Sequence, residues 1–309
     1  MQKTVRGELS RTMTVSYSST GSGRTENQIT HIKIKGNILN INIIGTEQDK
    51  GLFDTLDSIN KNHNLSLKLS FYALSKLSDK FISSFANDNV NIPLIALIKN
   101  TPTLIKIDNN AIIKSSLNWQ ALTKRIVTAG RKSELILQAS KLTSDMSVID
   151  GTAGFGQDGL ILASTGANVI MIEQNPIVAM LLLFEHQMMN TNPNWQKLLS
   201  RIAIYHGNFL NADFMATLPK ADMIYLDPMF PSDSYSAKVG KTMQVLHDLA
   251  NPPSDDDETL FLDIANAQLK DNGKIIIKRP LSAPHLANKT PLQSVANDAI
   301  RFDRYELNK

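Results

Sequence analysis

The chain has 309 residues, of which 42% are hydrophobic and 20% charged, and its net charge is +3. This composition is typical of a globular protein with a large apolar core and excludes wholesale disorder. The absence of cysteine excludes disulfides, thiolate metal sites and cysteine nucleophiles. The longest apolar runs are too short to span a bilayer and no secretory segment is evident, so we expect a cytoplasmic, monomeric protein without a membrane partner.

We expect residues 1–110 to form a smaller α/β region of unknown role. Residues 1–28 are rich in Ser, Thr and Gly without an apolar period, so we interpret them as a mobile lead. Alternating residues on either side of Gly36-Asn37 predict two strands joined by a hairpin turn. Further on, the pattern predicts helix over 52–87 and extended chain over Leu94–Ile107.

From residue 146 onward, predicted strands and helices alternate strictly. Such alternation is typical of crossover units that build a parallel sheet covered by helices on both faces. Ligands of such sheets bind at the carboxyl ends of the strands. The predicted strands are Met146–Asp150, Asn168–Ile172, Ile202–His206, Met223–Leu226 and Lys274–Ile277, with a terminal hairpin over 292–307. The predicted helices are Asn118–Leu142 with a break near Gly130, Gln157–Ser164, Ile177–Met189, Lys238–Leu249 and Leu260–Lys270.

A glycine-rich loop follows the first of these strands and reads Asp150-Gly151-Thr-Ala-Gly154-Phe-Gly156-Gln157-Asp158. Its glycine spacing matches dinucleotide-binding folds, and Glu173 ends the next strand, where a ribose-binding acid is expected. A long loop with an acid at its root suits a cationic sulfonium better than a pyrophosphate, which favours S-adenosyl-L-methionine over NAD. Because the glycine spacing alone is a weak signal, an NAD-linked oxidoreductase stays open as an alternative.

A second motif, Asp227-Pro-Met-Phe-Pro, follows another predicted strand. An exocyclic base amine is a poor nucleophile until its lone pair is drawn out of the ring. The Asp227 carboxylate and the Pro228 carbonyl can each accept one amine hydrogen, while Phe230 stacks on the base. Proline fixes its own φ and restricts its neighbour, so the turn is preorganised for methyl transfer.

These motifs together resemble a known family: bacterial small-subunit ribosomal RNA methyltransferases that modify a guanine 2-amino group near the RNA's 3′ end. The resemblance covers residues 118–306 and implies a seven-stranded, Rossmann-like class I methyltransferase domain over 111–309, with small-subunit ribosomal RNA or the 30S subunit as partner. The segments that carry it are Asp150-Gly-Thr-Ala-Gly-Phe-Gly156, Met171-Ile-Glu-Gln-Asn-Pro176, Tyr225-Leu-Asp-Pro-Met-Phe-Pro231, Lys278-Arg279-Pro280, Ala283-Pro284, Leu286-Ala-Asn288 and Arg301-Phe-Asp303.

The resemblance also implies which residues bind the cofactor, in addition to Asp150, Gly151, Gly154 and Gly156 of the loop. These are Gln157, Asp158, Glu173, Gln174, Asn208, Phe209 and Asp227. The chain departs from the pattern that we expect of the family, which has Arg in place of both glutamines and a Ser pair at 208–209. The departures bear on cofactor affinity more than on reaction type. They leave a noncatalytic RNA-binding or ribosome assembly protein open as a second alternative, against which intact Asp227 and Glu173 argue.

Basic residues cluster in two segments that flank the motifs. They are Lys114, Lys124, Arg125, Arg131, Lys132 and Lys141 in the first segment and Lys274, Lys278, Arg279, Lys289, Arg301 and Arg304 in the second. Charge alone fits a phosphate-rich partner and two solvated faces equally well. Lys241, Lys278 and Arg279 are our candidates for binding RNA phosphate or the guanine itself. The six histidines are dispersed, so we predict no metal site.

Overall fold

The structure is a computed structural model that describes residues 11–15, 30–34, 38–109, 111–229 and 253–306. Two predicted site residues, Phe230 and Lys241, lie outside these ranges, as does the helix predicted over Lys238–Leu249. None of the described helices has both the length and the apolar character needed to cross a membrane.

The described elements form three sheets and the helices that cover them. The strands are β1 (Arg11–Val15), β2 (Thr30–Ile34), β3 (Leu39–Gly45), β4 (Leu67–Ala73), β5 (Leu94–Ile98), β6 (Thr101–Asp108), β7 (Ala111–Ser115), β8 (Ser147–Asp150), β9 (Asn168–Glu173), β10 (Ile202–His206), β11 (Ala221–Leu226), β12 (Leu269–Pro280), β13 (Gln293–Ala296) and β14 (Ile300–Tyr305). The α-helices are α1 (Lys50–Asn62), α2 (Asp79–Asp88), α3 (Thr123–Thr128), α4 (Leu135–Ser140), α5 (Gln157–Ser164), α6 (Pro176–Met189), α7 (Pro193–Leu199), α8 (Ala212–Ala216) and α9 (Asp255–Gln268).

The largest sheet has seven strands in the order β10-β9-β8-β11-β12-β14-β13. Its first five strands run parallel, while β14 pairs antiparallel with both β12 and β13. This confirms the predicted parallel sheet and the terminal hairpin. The strand order reverses at β8 and β11, and the cleft outside the carboxyl ends of strands at such a point is where α/β sheets bind ligands.

Burial on both faces explains why the inner parallel strands β8, β9 and β11 consist mostly of apolar residues rather than an alternating pattern. Helix α6 is apolar all round, and its residues from Ile177 to Phe184 are all buried. The helix begins where predicted, because the Asn175 side chain accepts hydrogen bonds from the backbone N–H groups of Ile177 and Val178, and Pro176 occupies the first turn.

A second sheet has five strands in the order β4-β3-β5-β6-β7. Extended chain over Leu94–Ile107 is confirmed as β5 and β6, but the predicted hairpin is wrong. Strand β2 pairs with β1, whereas β3 lies between β4 and β5 and is parallel to both. The helix predicted over 52–87 is interrupted by β4. Strand β7 belongs to this sheet, so the boundary predicted at residue 110 falls just before its last strand.

The two large sheets share one hydrophobic core. Helix α1 of the N-terminal sheet packs against α6 of the seven-stranded sheet. The shared cluster includes Ile41 of β3 and Leu56 of α1 on the N-terminal side and Val148 of β8 and Leu181 of α6 on the other. Contact with α6, the helix that follows β9, therefore holds the N-terminal sheet against the seven-stranded sheet.

Candidate active site

Two cavities of about 470 and 550 Å³ open at the carboxyl ends of β8, β9 and β11. The smaller, which we call the Asp158 cavity, is also lined by Asp150 and Lys278. The larger, which we call the Glu173 cavity, is also lined by Phe209. The cavities are neighbours, since both are lined by Thr152, Gly154, Asp227 and Met229. Both sequence motifs therefore meet at one place, with Asp227 on the shared wall.

The glycine loop is built by backbone geometry that other residues would strain. Gly154 and Gly156 have φ of +52° and +73°, in the left-handed region that favours glycine. A Cβ on Gly151 would lie 2.4 Å from Cδ2 of Phe209, so this glycine lets the loop approach the cavity wall. Trp119 supports the loop from behind, because its Nε1 donates to the Phe155 carbonyl at 2.9 Å.

Glu173 ends β9 and lies beneath the loop with 8% of its surface exposed. Its Oε2 accepts a hydrogen bond from Gly154 N at 2.8 Å, and its Oε1 accepts one from Asn175 N at 2.7 Å. Burial raises the pKa of Glu173 to about 7, although these backbone hydrogen bonds oppose the shift. Gln174 also donates a backbone hydrogen bond to Glu173, and because a carboxylate has about four lone-pair sites it can still accept from the cavity.

Asp150 and Asp158 are two further carboxylates at this edge. Asp150 is 1% exposed, and burial followed by the neighbouring charge of Asp158 raises its pKa well above the ordinary value. Burial alone would also raise the pKa of Asp158, but the charge of Lys278 and a hydrogen bond from Tyr225 lower it overall. The Tyr225 hydroxyl donates to Asp158 Oδ2 at 2.7 Å. The pKa values of these two acids are therefore shifted in opposite directions, upward for Asp150 and downward for Asp158.

Asp227 is held through both its backbone and its side chain. Its N–H donates to Thr152 Oγ1 at 2.6 Å, and Lys278 Nζ donates to its Oδ2 at 2.8 Å. The same ammonium donates to Asp158 Oδ2 at 3.0 Å. Burial would lower the pKa of Lys278, but the charges of Asp227 and Asp158 raise it above the ordinary value. Lys278 therefore connects the Asp-Pro turn to the glycine loop across the cavity.

The other predicted cofactor residues lie around the rims. Gln157 is exposed at the Asp158 cavity, and Gln174 and Asn208 are exposed at the Glu173 cavity. Phe209 is only 2% exposed and stacks on Phe261, with ring centroids 5.7 Å apart. The chain thus has an apolar wall at a position where the resemblance implies Ser.

Two predicted RNA contacts have different surroundings from those that the sequence suggests. Arg279 is 2% exposed, and both of its terminal nitrogens donate to Glu258 Oε1 at 3.1 Å. A buried, ion-paired guanidinium does not fit a contact with RNA phosphate, and Arg279 instead fixes α9 to β12. The Lys278 ammonium binds two carboxylates inside the cavity rather than standing on the surface.

Two residues of the site had no role in the sequence analysis. Thr152 positions the backbone of Asp227, and Tyr225 binds Asp158. Tyr225 could have been found, because it precedes Asp227 by two residues and side chains two apart on a strand share a face. Within the described ranges, no three acids and histidines converge as metal ligands would.

Comparison with known proteins indicates which ligand binds at the carboxyl ends of these strands. The model of a family described as SAM-dependent methyltransferases, SAM being S-adenosyl-L-methionine, matches residues 85–307. The chain belongs to this family. The match begins within α2, so it includes part of the N-terminal sheet as well as the whole seven-stranded sheet.

Several relatives carry the name "Ribosomal RNA small subunit methyltransferase J". The one from Psychrobacter arcticus is 43% identical over 273 residues, which cover 81% of this chain and 90% of the relative. The one from Psychrobacter cryohalolentis is 52% identical over 205 residues, which cover 60% and 69%. The first alignment covers more of the chain than residues 111–309 alone could supply, so the likeness extends into the N-terminal region.

The fold is shared with a solved SAM-dependent methyltransferase from Neisseria gonorrhoeae. Its TM-score is 0.60 at 24% identity, covering 85% of this chain and 95% of that one. The methyltransferase family and fold establish SAM as the cofactor and confirm the predicted class I architecture. The family and the fold thus exclude the alternative hypothesis of an NAD-linked oxidoreductase.

The residues of the two cavities fit SAM in their chemistry. Glu173 offers a carboxylate for two ribose hydroxyls, and Phe209 and Pro228 offer apolar surface for a purine. Asp158, Asp150 and Lys278 line the other cavity with charges of both signs, which suits an amino acid's ammonium and carboxylate groups.

Proposed function

We propose that this SAM-dependent methyltransferase transfers a methyl group to the exocyclic 2-amino group of a guanine in small-subunit ribosomal RNA. The observation that carries the proposal is the position of Asp227 on the wall shared by two cavities, with its carboxylate bound by Lys278. The two cavities suit the nucleoside and the amino-acid part of the cofactor, and Asp227 on the wall that they share can accept a hydrogen bond from an amine presented there.

The ribosomal substrate is supported by the relatives. The Psychrobacter arcticus protein, named as acting on small-subunit ribosomal RNA, aligns with 81% of this chain. The choice of guanine rests on the resemblance of the Asp150, Asp227 and Lys278 segments to guanine-modifying enzymes. Adenine also presents an exocyclic amine to an Asp-Pro turn, so the target base is the finer part of the proposal.

The cofactor supplies an electrophilic methyl group on a sulfonium. The chain's own contribution is to hold the amine. Asp227 accepts one amine hydrogen and the Pro228 carbonyl accepts the other, which directs the nitrogen lone pair outward. Phe230, outside the described residues, stays our predicted stacking partner for the base. The amine becomes acidic as the new N–C bond forms, so its proton can leave to solvent without a strong base.

Preorganisation is the physical advantage of this arrangement. Thr152 fixes the Asp227 backbone and Lys278 fixes its carboxylate, so neither has to be ordered when the base arrives. A carboxylate has about four lone-pair sites, so Asp227 can accept a hydrogen bond from an amine in addition to the one from Lys278. The Lys278 ammonium thus orients the Asp227 carboxylate and leaves it able to accept a hydrogen bond from the amine.

A labelled-methyl assay on unmodified RNA tests the proposal. Small-subunit ribosomal RNA transcribed in vitro, free or assembled into subunits, is incubated with the protein and SAM carrying a labelled methyl group. Digestion to nucleosides should yield labelled N2-methylguanosine. Labelled N6-methyladenosine would overturn the choice of base, and no label in either substrate would overturn the ribosomal RNA assignment.

Calorimetric titration with S-adenosylhomocysteine, with NADH as control, tests the cofactor site separately. Saturable binding of S-adenosylhomocysteine alone is expected. Binding of neither ligand would favour the noncatalytic RNA-binding alternative.

A further inference from the structure

The two basic segments of the sequence meet in space around Lys274. Lys274 lies on β12, next to β14, which carries Arg304. In the pairing of these strands Arg304 is opposite Ile276, which places it diagonally across from Lys274 on the same face of the sheet. Two members of the second segment are therefore cross-strand neighbours.

The first segment reaches the same place through α4. This helix packs against β12, β13 and β14 and ends at Ser140, directly before Lys141. Arg131 is folded back onto this end, because its guanidinium donates to the carbonyls of Lys141 and Leu142 at 3.4 Å. We call Arg131, Lys132, Lys141, Lys274 and Arg304 the basic cluster.

The charges of the cluster act on one another. Burial lowers the pKa of Lys274, and the positive charges of Arg304, Arg131 and Lys141 lower it further. Glu306 opposes these charges, but its carboxylate is bound by Arg304. In contrast, Arg125 of the first segment is neutralised by Glu134 through two hydrogen bonds of 2.8 Å. Among the described ion pairs, Arg131, Lys132 and Lys141 of the first segment are bound to no carboxylate.

Two further observations indicate that an anion is needed here. Lys274 is 7% exposed and has no carboxylate bound to it among the described ion pairs, although a buried charge ordinarily requires a partner. The Nε of Arg304 is buried and has no hydrogen-bond partner within the described residues. Neighbouring like charges cost free energy unless an oppositely charged group lies between them.

The cluster is connected to the active site along two elements. Lys274 and Lys278 lie on the same face of β12, and four residues of strand separate them by about 13 Å. Helix α4 begins at Leu135, which lines the Asp158 cavity, and ends at the cluster. A linear polyanion that passes both ends of α4 could thus contact the cluster while one of its bases reaches Asp227.

We propose that the basic cluster binds the phosphate backbone of the RNA whose base is presented to Asp227. The proposal rests on the proposed function and adds the surface that holds the substrate. The anion is a polynucleotide rather than a single phosphate ion, because the cations are spread over a loop, a helix end and two strands instead of converging on one point.

The test removes three exposed cations of the cluster together, in the variant Arg131→Gln, Lys132→Gln, Lys141→Asn. Asn is chosen because Lys141 has a φ of +49°, which Asn tolerates better than other residues. The matched control removes the same charge elsewhere, in the variant Lys68→Gln, Lys80→Gln, Lys197→Gln, whose lysines are also exposed. Full-length proteins are titrated with in vitro transcribed small-subunit ribosomal RNA over a range of KCl concentrations.

Removing one cation that binds a phosphate should reduce the slope of log K against log salt by about 0.7 for single-stranded RNA. We therefore expect the slope of the cluster variant to fall by about 2, its KM for RNA to rise about tenfold or more, and its kcat at saturating RNA and its S-adenosylhomocysteine affinity to stay at the control's values. A cluster variant with the control's slope and KM would overturn the proposal. If the wild-type protein binds RNA but transfers no methyl group, the proposed function fails while the salt slope still decides the cluster.

Discussion

The first buried strand of each large sheet ends differently, although both strands have parallel neighbours. At the end of β3, the N–H and hydroxyl of Thr46 both donate to Asp49 Oδ2 at 2.7 Å, so the polar groups are satisfied within one turn. At the end of β8, Asp150 is buried with the charges of Asp158, Asp227 and Glu173 all raising its pKa. The polar groups at the end of β3 bind one another within one turn, whereas the end of β8 lies close to acids from distant parts of the chain.

This difference teaches how to recognise a site from polar groups alone. A local hydrogen-bonded turn stabilises the fold, and its polar groups are already bound to one another rather than offered to a ligand. Three or four buried carboxylates that repel one another lower the stability of the protein, so their persistence indicates a partner that offsets the cost. Perturbed acids in a cleft are therefore functional candidates, and the end of β3 is not one.

The largest effect on methyl transfer is expected from a substitution of Asp227. The comparison of the two strand ends predicts that this residue takes part in the reaction rather than in stabilising the fold. Asp227→Ala removes an acceptor for the attacking amine and one of the two carboxylates that bind Lys278. We expect methyl transfer to small-subunit RNA to fall by on the order of a hundredfold or more, as for the loss of one oriented polar group in other active sites. Single-turnover rates at saturating RNA and SAM measure it.

Asp227→Asn is the matched control, because it keeps one oxygen acceptor and loses the charge that faces Lys278. Its rate should lie between those of wild type and Asp227→Ala, and RNA affinity should be kept in both variants. Turnover equal to wild type in Asp227→Ala would remove this residue from the mechanism.

The next effect concerns the buried acid of the cofactor cavity. Glu173→Ala should weaken S-adenosylhomocysteine binding by about 10- to 100-fold, the range expected for hydrogen bonds to a charged group. Calorimetry measures the change. Glu47→Ala is the control at the other sheet, since Glu47 lies just after the end of β3 and outside both cavities. Equal affinities in the two variants would contradict a cofactor role for Glu173.

The same residue predicts a pH dependence. Its pKa in the ligand-free protein is raised to about 7, so the carboxylate that accepts ribose hydroxyls is lost as the pH falls below that value. Affinity should drop up to about tenfold per pH unit between pH 7 and 5, and Glu173→Gln should flatten this profile. Stability has the opposite trend: the contribution of this group is full below its unfolded pKa and is lost as the pH rises through about 7.

The smallest effect is expected at the closed end of β3. Thr46→Ala removes the hydroxyl that donates to Asp49 and should lower the free energy of unfolding by about 1 kcal/mol. Urea denaturation measures this loss, and methyl transfer should not change at temperatures where the variant is folded. A lower kcat in a folded Thr46→Ala protein would show that this turn influences the site and would break the comparison.

Sequence periodicity predicted the seven-stranded sheet well, because its inner parallel strands are buried on both faces and consist mostly of apolar residues. It failed at β3, where Asn40 and Asn42 give an alternating pattern typical of a hairpin strand. Asn42 is in fact 4% exposed and its amide donates to Asn89, so a polar residue there does not mark a solvent face. Strand β4 was missed although Leu67, Leu69 and Phe71 alternate, since the residues around it look helical.

The parts of the site that lie within the two sequence motifs were predictable. The glycine loop and the Asp-Pro turn each follow a strand, and topology brings strand ends together. The ion pairs of Lys278 join residues separated in sequence by 120 and 51 positions, and no local pattern contains that information. The burial of Arg279 was equally hidden, because a basic residue beside Lys278 looks like a continuation of the same surface.

The indole beneath the glycine loop gives the protein an intrinsic optical signal. The chain contains two tryptophans, and Trp119 and Trp195 are stacked with ring centroids 6.5 Å apart. Trp119 also donates to the Phe155 carbonyl inside the loop. All indole fluorescence of this chain therefore originates from one point behind the cofactor loop, and a displacement of that loop changes the emission without any added label.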